Sequence, residues 1–183
     1  MSWKDEVRGI EERRKRALEL GGPEAVERQH ERGRLTIRER IDALVDPSSF
    51  REQGPIAGHG ELNDAGELES FAPANYVLGF GKVDGRPCVV GGEDFTQRGG
   101  SPNAAGLRKS VFAEDLACRY RVPLIRFLEG GGGSVAGTAG PAGRKAAPAP
   151  APTGESITAP PRFMSFGNAM ATVPVVSMAG GAV

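Results

Sequence analysis

The chain is poor in the residues on which metal centres and disulfide scaffolds depend. Its 183 residues include two cysteines and two histidines. Cys88 and Cys118 have no CxxC partner, and His30 and His59 stand far apart in the sequence. This pattern argues against a zinc site and against a disulfide framework. We therefore expect no bound metal.

The chain also lacks net charge and a strongly apolar segment. Its 23 basic and 23 acidic side chains balance, which argues against nucleic-acid or membrane binding through bulk charge. The first residues, Met1 to Glu6, are charged where a secretory signal has its apolar core. The uncharged run 163–183 contains Gly, Pro, Ser and Asn, which insert poorly into a bilayer. We expect a cytoplasmic protein without a nucleic-acid or membrane partner.

Charge of both signs is concentrated at the amino terminus. Residues 1–46 hold 11 basic and 11 acidic side chains, which we interpret as solvated helix faces. Apolar residues recur there at helical spacing: Trp3, Val7, Ile10 and Ala17. Gly21-Gly22-Pro23 is typical of one helix ending and another beginning. His30 lies in the second charged run, where a surface or capping role is the simpler interpretation.

A third helix is predicted from its start signal. Thr36 and Glu39 have the spacing of a capping box. One apolar stripe follows, and Asp46-Pro47 ends it. The stripe contains Ile37, Ile41, Leu44 and Val45.

The middle of the chain alternates strand and helix patterns. Asp84-Gly85 separates two β-prone runs between Tyr76 and Val90, which predicts a hairpin with a tight turn. Residues 103–121 carry apolar side chains on two sides of a helical projection, which predicts a helix packed between layers. Cys118 is then a core residue. The run 123–128 follows as a short strand, and this order of elements indicates an α/β domain.

A glycine run follows that strand, from Gly130 to Gly133. Backbone N–H groups in such a run are not shielded by side chains and can point at developing negative charge, as in an oxyanion hole. The run can equally be the start of a flexible segment. A third interpretation is a dinucleotide fingerprint, Gly131-x-Gly133-x-x-Ala136, although Pro141 stands where that site needs a helix. No Gly-Lys-Ser/Thr triplet follows, which excludes a P-loop.

The rest of the chain is a low-complexity stretch followed by residues with helix and strand patterns. Within 131–162, only six residues are not Gly, Ala, Pro, Ser or Thr, so we expect a mobile loop. Residues 163–172 are predicted to return to helix, and 173–178 to form a buried strand.

Three motifs resemble one family. Residues 28–50, beginning Arg28-Gln29-His30-Glu31, resemble the amino-terminal signature of carboxyltransferase (beta) subunits of biotin-dependent acyl-CoA carboxylases, the propionyl-CoA and methylcrotonyl-CoA type. The run 79–87 is similar to that family's first core hairpin, and 93–101 to its Asp-Phe-Thr and Gly-Gly-Ser element. Residues 128–134 take the place of its Asp-Ser-Gly-Gly-Ala-Arg turn, with Glu129 for Asp.

The resemblance implies a fold and a reaction. The fold is a partial crotonase-like (ClpP/crotonase) β–β–α spiral over 51–183, preceded by a charged helical segment over 1–50. The reaction moves a carboxyl group from carboxybiotin to the α-carbon of an acyl-CoA. The amides of Gly131 and Gly132 are implied as the oxyanion hole, that is, as the catalytic groups. Fixed dipoles of this kind suit a chain with few titratable catalytic candidates.

The same resemblance implies the binding groups and partners. Phe95, Thr96, Gly99 and Gly100 are candidate wall residues of the acyl-CoA site, with packing and turn roles as the alternative. Arg144 and Lys145 could meet CoA phosphates or stay solvated. Biotin arrives as carboxybiotin on a carrier protein, so a biotin carboxylase/biotin carrier subunit is the implied partner. Family members form homo-oligomers.

The resemblance covers the amino-terminal part of a family subunit. We therefore expect a partial carboxyltransferase without the biotin half, with little or no turnover alone. One alternative is a non-catalytic acyl-CoA-binding or assembly module of a carboxylase complex. A more distant alternative is a dinucleotide-binding oxidoreductase domain.

Overall fold

A computed structural model describes residues 3–129 and 162–180 of the chain. Its helices are α1 (Lys4–Leu18), α2 (Pro23–Glu31), α3 (Ile37–Leu44), α4 (Ala104–Tyr120) and α5 (Arg162–Thr172). Its strands are β1 (Arg51–Glu52), β2 (Gly58–Leu62), β3 (Leu68–Pro73), β4 (Tyr76–Val83), β5 (Arg86–Glu93), β6 (Leu124–Leu128) and β7 (Val175–Ala179). A short 3₁₀ turn spans Arg98–Gly100.

Five strands form one mixed sheet in the order β1-β4-β5-β6-β7. The pairs β1–β4 and β4–β5 are antiparallel, whereas β5–β6 and β6–β7 are parallel. The parallel pairs are joined through α4 and α5, as parallel strands need a crossover. Strands β2 and β3 form a separate antiparallel hairpin. The α/β class predicted from the sequence is confirmed.

The predicted hairpin is present as β4 and β5. Asp84 and Gly85 connect the strands with φ of 50° and 77°, the left-handed values that a two-residue hairpin turn needs. The Asp46 carboxylate accepts hydrogen bonds from both turn amides, at 3.0 Å from Asp84 N and 2.8 Å from Gly85 N. The residue predicted to end the third helix therefore also fixes this turn.

The sheet buries both of its faces because side chains alternate along each strand. Leu78 and Val89 point to the face covered by α4 and α5, within a cluster that also contains Leu116 and Leu124. Their sequence neighbours Val77 and Val90 belong to the opposite cluster, on the face where α3 packs. That cluster also contains Ile37, Ile41, Val45 and Phe127. The core thus has three layers. The boundary predicted at residue 50 remains a prediction.

The capping box at α3 is confirmed. The Thr36 amide donates to Glu39 Oε2 at 2.7 Å, and the Glu39 amide donates to Thr36 Oγ1 at 3.4 Å. His30 Nε2 lies 3.0 Å from both Glu39 oxygens, so the exposed histidine supports the cap. Burial raises the pKa of Glu39, but the hydrogen bonds from His30 and Thr36 outweigh it and lower the pKa overall.

We expect Thr36→Ala to lower the free energy of unfolding by about 1 kcal/mol, because it removes the side-chain acceptor of the cap. Urea unfolding at pH 7 measures this loss, and Thr36→Ser, which keeps the hydroxyl, is the matched control. Because folding lowers the pKa of Glu39, its contribution is complete above an ordinary glutamate pKa and is lost as the pH falls through the folded value. Equal stability of Thr36→Ala and the parent chain would contradict the assignment.

Two packing expectations were wrong. The strand predicted over 173–178 is present as β7, but β7 ends the sheet in the described part of the chain and Val176 is half exposed. Helix α4 buries one side against the sheet, and its second apolar side is largely open, with Phe112 and Tyr120 exposed. Cys118 accordingly lies half-buried at the margin of the core.

Other segments were not predicted or cannot be compared. The β2–β3 hairpin was missed, although Asn63 to Gly66 carries the composition of a turn. The predicted helix over 163–172 is present as α5. The predicted mobile loop, residues 131–162, lies outside the described residues except for Arg162, where α5 begins. None of the described helices combines the length and apolar character that crossing a bilayer requires.

Candidate functional site

The segment predicted to line the acyl-CoA site and Glu129, which precedes the predicted catalytic glycines, follow neighbouring strands of the sheet. Strands β5 and β6 are parallel, with Gly92 paired to Phe127, so their carboxyl ends lie side by side. The segment 94–100 follows β5, and Glu129 follows β6 directly. Ligand sites in open α/β sheets commonly lie at the carboxyl ends of strands.

Asp94 holds the segment that follows β5. This carboxylate is fully buried and accepts hydrogen bonds from the Thr96 amide (3.0 Å), the Thr96 hydroxyl (2.5 Å) and Gln97 Nε2 (2.8 Å). The Asp94 amide in turn donates to the carbonyl oxygen of Asn75 at 3.0 Å. The conformation of the segment is therefore set by one buried acid.

Thr96 also ties this segment to the amino-terminal helices. Its Oγ1 accepts a hydrogen bond from the Gly21 amide at 2.9 Å, in the linker between α1 and α2. A Cβ added at Gly21 would lie 2.3 Å from the Thr96 carbonyl oxygen. Glycine is therefore required here for the close approach of two backbones.

The end of the segment turns through left-handed backbone. Arg98, Gly99 and Gly100 have φ of 52°, 60° and 75°. Glycine adopts these values without the steric cost of a Cβ. Gly99 borders open space, whereas Gly100 is buried beneath the turn.

An open cleft of about 340 Å³ separates this segment from α2. Phe95, Thr96 and Gly99 form one wall of the cleft. The other wall is formed by four residues of α2 and its carboxyl end: Ala25, Arg28, Gln29 and Arg32. Arg28 and Arg32 are exposed to solvent, and the Arg34 guanidinium lies 5.9 Å from the centroid of the Phe95 ring. The cleft combines cations with an aromatic face, which suits an anionic ligand.

A buried acid stands beside the cleft at the end of β6. Glu129 is 2% exposed, and its Oε2 lies 2.6 Å from the Arg40 guanidinium. Its Oε1 lies 3.1 Å from Gln29 Nε2 and 3.4 Å from Arg34 NH1. One carboxylate therefore joins α2, the α2–α3 connection and α3 to the strand that precedes the glycine run.

The structure brings three of the predicted site residues together. Phe95, Thr96 and Gly99 line the cleft, while Gly100 does not reach it. The predicted catalytic pair, Gly131 and Gly132, lies outside the described residues, as do Arg144 and Lys145. Within residues 3–129 and 162–180, no group of three or more His, Cys, Asp or Glu side chains is arranged to hold a metal.

Sequence reasoning did not identify the buried acids and arginines that organise the site. Asp94 appears in the sequence as part of an Asp-Phe-Thr run, where its spacing to Thr96 is the signal of an Asx-turn. Glu129 and Arg40 are 89 positions apart, so no local pattern connects them. Their pairing follows from the tertiary fold alone.

Comparisons with known proteins match this region. The profile described as carboxyl transferase domain covers residues 28–145, which include every lining residue of the cleft except Ala25. A probable biotin-dependent acyl-coenzyme A carboxylase beta2 subunit of Mycobacterium tuberculosis is 42% identical over 118 residues, 64% of this chain and 21% of that protein. The human mitochondrial propionyl-CoA carboxylase beta chain is 36% identical over 69% of this chain and 24% of its own length. The chain spans about a quarter or less of these relatives.

Solved structures agree. A transcarboxylase 12S structure with methylmalonyl-coenzyme A bound matches with a TM-score of 0.60 and 31% identity, covering 72% of this chain and 26% of that one. A single-chain, multi-domain long-chain acyl-CoA carboxylase matches with a TM-score of 0.66 and 32% identity, covering 95% of this chain and 17% of that one. The predicted crotonase-like fold is confirmed as that of these carboxyltransferases. The chain belongs to the carboxyl transferase domain family and corresponds to an amino-terminal portion of an acyl-CoA carboxylase beta subunit.

Proposed function

We propose that this chain supplies the acyl-CoA side of a biotin-dependent carboxyltransferase. The reaction moves a carboxyl group from carboxybiotin to the α-carbon of an acyl-CoA. The observation that carries the proposal is the family match over 28–145, which spans the cleft beside α2 and the glycine run after β6. Membership of this family leaves the dinucleotide-binding alternative without support.

The chemistry assigned to the chain is electrostatic. Amides of Gly131 and Gly132 hold the thioester oxygen as the α-carbon loses its proton and the oxygen gains negative charge. Phe95, Thr96 and Gly99 border the bound acyl-CoA, and Gly100 shapes the turn beneath them. Carboxyl transfer also needs the two reactants held together, so positioning adds to charge stabilisation.

The cations of the cleft are assigned to the phosphates of CoA. Arg28 and Arg32 are exposed on the α2 wall, and the ion pair of Arg28 with Glu24 is long, at 3.8 Å. Guanidinium groups match phosphate oxygens with paired donors. The Phe95 ring on the opposite wall offers an apolar face to the rest of the ligand.

Biotin fits this cleft less well. The two guanidinium groups of the α2 wall suit the several phosphate charges of CoA better than the single carboxylate of carboxybiotin. We therefore assign no biotin contact to the described residues. Carboxybiotin is treated as a second substrate, delivered by a biotin carboxylase/biotin carrier subunit to a homo-oligomer in the cytoplasm.

We expect the double change Arg28→Ser with Arg32→Ser to weaken binding of propionyl-CoA about tenfold, because two phosphate contacts are lost. Isothermal titration calorimetry at 50 mM salt measures this effect. Arg8→Ser with Arg14→Ser removes the same charge from exposed positions on α1 and should leave the affinity unchanged. Equal losses of propionyl-CoA affinity in the two double variants would show that the effect comes from net charge alone. Absence of any propionyl-CoA binding by the parent chain would contradict the proposed function.

An assembly role is the second candidate, because Trp3, which precedes α1, and Val7 in α1 expose apolar side chains. Such apolar exposure is typical of a surface that another protein covers. Calorimetry with a full-length carboxyltransferase subunit in place of propionyl-CoA distinguishes the two. Binding of the subunit without measurable binding of propionyl-CoA would favour the assembly role.

A further inference from the structure

A second cleft lies between the β1–β2 connection and α4. It has a volume of about 380 Å³ and shares no lining residue with the cleft beside α2. Its walls are mostly apolar or without side chains: Gln53, Gly54, Ile56, Ala57, Gly58, Ala105, Arg108, Lys109 and Phe112. Ile56 and Phe112 are 38% and 43% exposed, so the apolar surface is open to a ligand.

A buried lysine contributes the amine of this cleft. The side chain of Lys109 is 9% exposed, and its Nζ lies 3.8 Å from Glu52 Oε1. Glu52 is held more closely by Arg38, whose guanidinium nitrogens lie 2.8 and 3.2 Å from the two carboxylate oxygens. The Lys109–Glu52 distance exceeds that of a hydrogen bond, so Glu52 does not lock the amine in place.

The surroundings of Lys109 destabilise its charged form. Burial lowers the pKa of Lys109 to about 8, an effect that the Glu52 carboxylate partly offsets and that the Arg38 guanidinium increases. The exposed Arg108, on the same helix, is a further cation lining the cleft. A neutral amine is a nucleophile, whereas an ammonium group is not.

We infer that Lys109 is a site of covalent acylation by short aliphatic acyl-CoA thioesters that enter this second cleft. The Lys109 nitrogen forms a bond to the thioester carbonyl carbon, and the carbon–sulfur bond breaks. The CoA sulfur leaves with the electron pair and takes up the proton released by the amine. The products are an amide on Lys109 and free CoA thiol.

The walls and the rim of the cleft indicate this class of reagent. Ile56 and Phe112 offer apolar contact to an aliphatic chain, and the volume accommodates an acyl group of a few carbons. Arg108 supplies a cation where the phosphates of CoA would lie. Acylation removes the charge of Lys109 and leaves Glu52 paired with Arg38 alone.

The test is incubation of the whole chain with butyryl-CoA, followed by peptide mass spectrometry. At pH 8, the Lys109 amine is about half neutral, roughly 100-fold more than an exposed lysine of ordinary pKa. Its lower basicity reduces its intrinsic nucleophilicity, so we expect about tenfold faster acylation than at an exposed site. Lys82, exposed on β4, is the internal reference.

Three controls connect the labelling to the cleft. Lys109→Arg should abolish the modified peptide. Phe112→Ser, which removes one apolar wall and leaves Lys109 in place, should lower the rate at Lys109 severalfold and leave Lys82 unchanged. In 8 M urea the preference for Lys109 should disappear, because the cleft no longer exists.

Acylation of Lys82 that equals or exceeds that of Lys109 in the folded chain would overturn the inference. The measurement does not depend on carboxyl transfer or on the cleft beside α2. Failure of one proposal is therefore distinguishable from failure of the other.

Discussion

Glu129→Ala is expected to destabilise the fold by about 3–5 kcal/mol. The substitution leaves the guanidinium of Arg40, which is 10% exposed, without its 2.6 Å partner. Breaking a buried ion pair by removing one partner has a cost in this range, because an uncompensated charge stays buried. Urea unfolding followed by circular dichroism measures the change.

The chain contains a matched control for this prediction. Glu24 and Arg28 form an ion pair at 3.8 Å whose side chains are 90% and 59% exposed. Exposed pairs contribute little, so Glu24→Ala should change the free energy of unfolding by less than about 0.5 kcal/mol. A similar, small loss in both variants would show that Glu129 is not the anchor between α2, α3 and β6.

Asp94→Ala is expected to destabilise the fold by about 3 kcal/mol and to weaken propionyl-CoA binding beyond that loss. The fully buried carboxylate accepts three hydrogen bonds from Thr96 and Gln97. Hydrogen bonds to a charged group contribute more than neutral ones, and alanine removes the acceptor of all three. Because Thr96 lines the cleft, its displacement changes the wall that contacts the ligand and lowers the affinity.

Asp94→Asn separates shape from charge in this prediction. An amide keeps one oxygen for Thr96, and the Gln97 side chain can turn to present its own oxygen to the new NH₂ group. We expect less than half of the loss seen with alanine, measured by urea unfolding and by propionyl-CoA calorimetry. Asp64→Ala, at an exposed turn position, should change neither quantity. Unchanged propionyl-CoA affinity in a folded Asp94→Ala variant would separate this segment from the binding site.

The elements that were predictable carry strong local signals. The Thr36–Glu39 box and the Asp84-Gly85 turn specify their geometry within a few residues. The strand over 124–128 and the helix over 104–120 follow from apolar runs bounded by clear end signals. In each case the decisive interactions are short in sequence and do not depend on the rest of the fold.

The features that could not be predicted depend on which surfaces of the helices and strands pack together in the folded chain. Val176 has the apolar character of a core strand, but burial depends on a neighbour that no local pattern identifies. Phe112 likewise belongs to an apolar side of α4 that borders the second cleft rather than a packed layer. The cluster around Glu129 combines residues from four separate segments, so neither its members nor its charge balance could be read locally.

Helix α1 buries one residue, Ala17, and presents charged side chains and a few apolar ones, such as Val7 and Leu18, to water. Its attachment to the rest of the molecule relies on polar contacts such as those of Arg16 with the Glu69 carbonyl and of Gly21 with Thr96. A segment held in this way has few buried apolar contacts to lose when it detaches. Local unfolding of α1 should therefore cost less free energy than opening the three packed layers behind it.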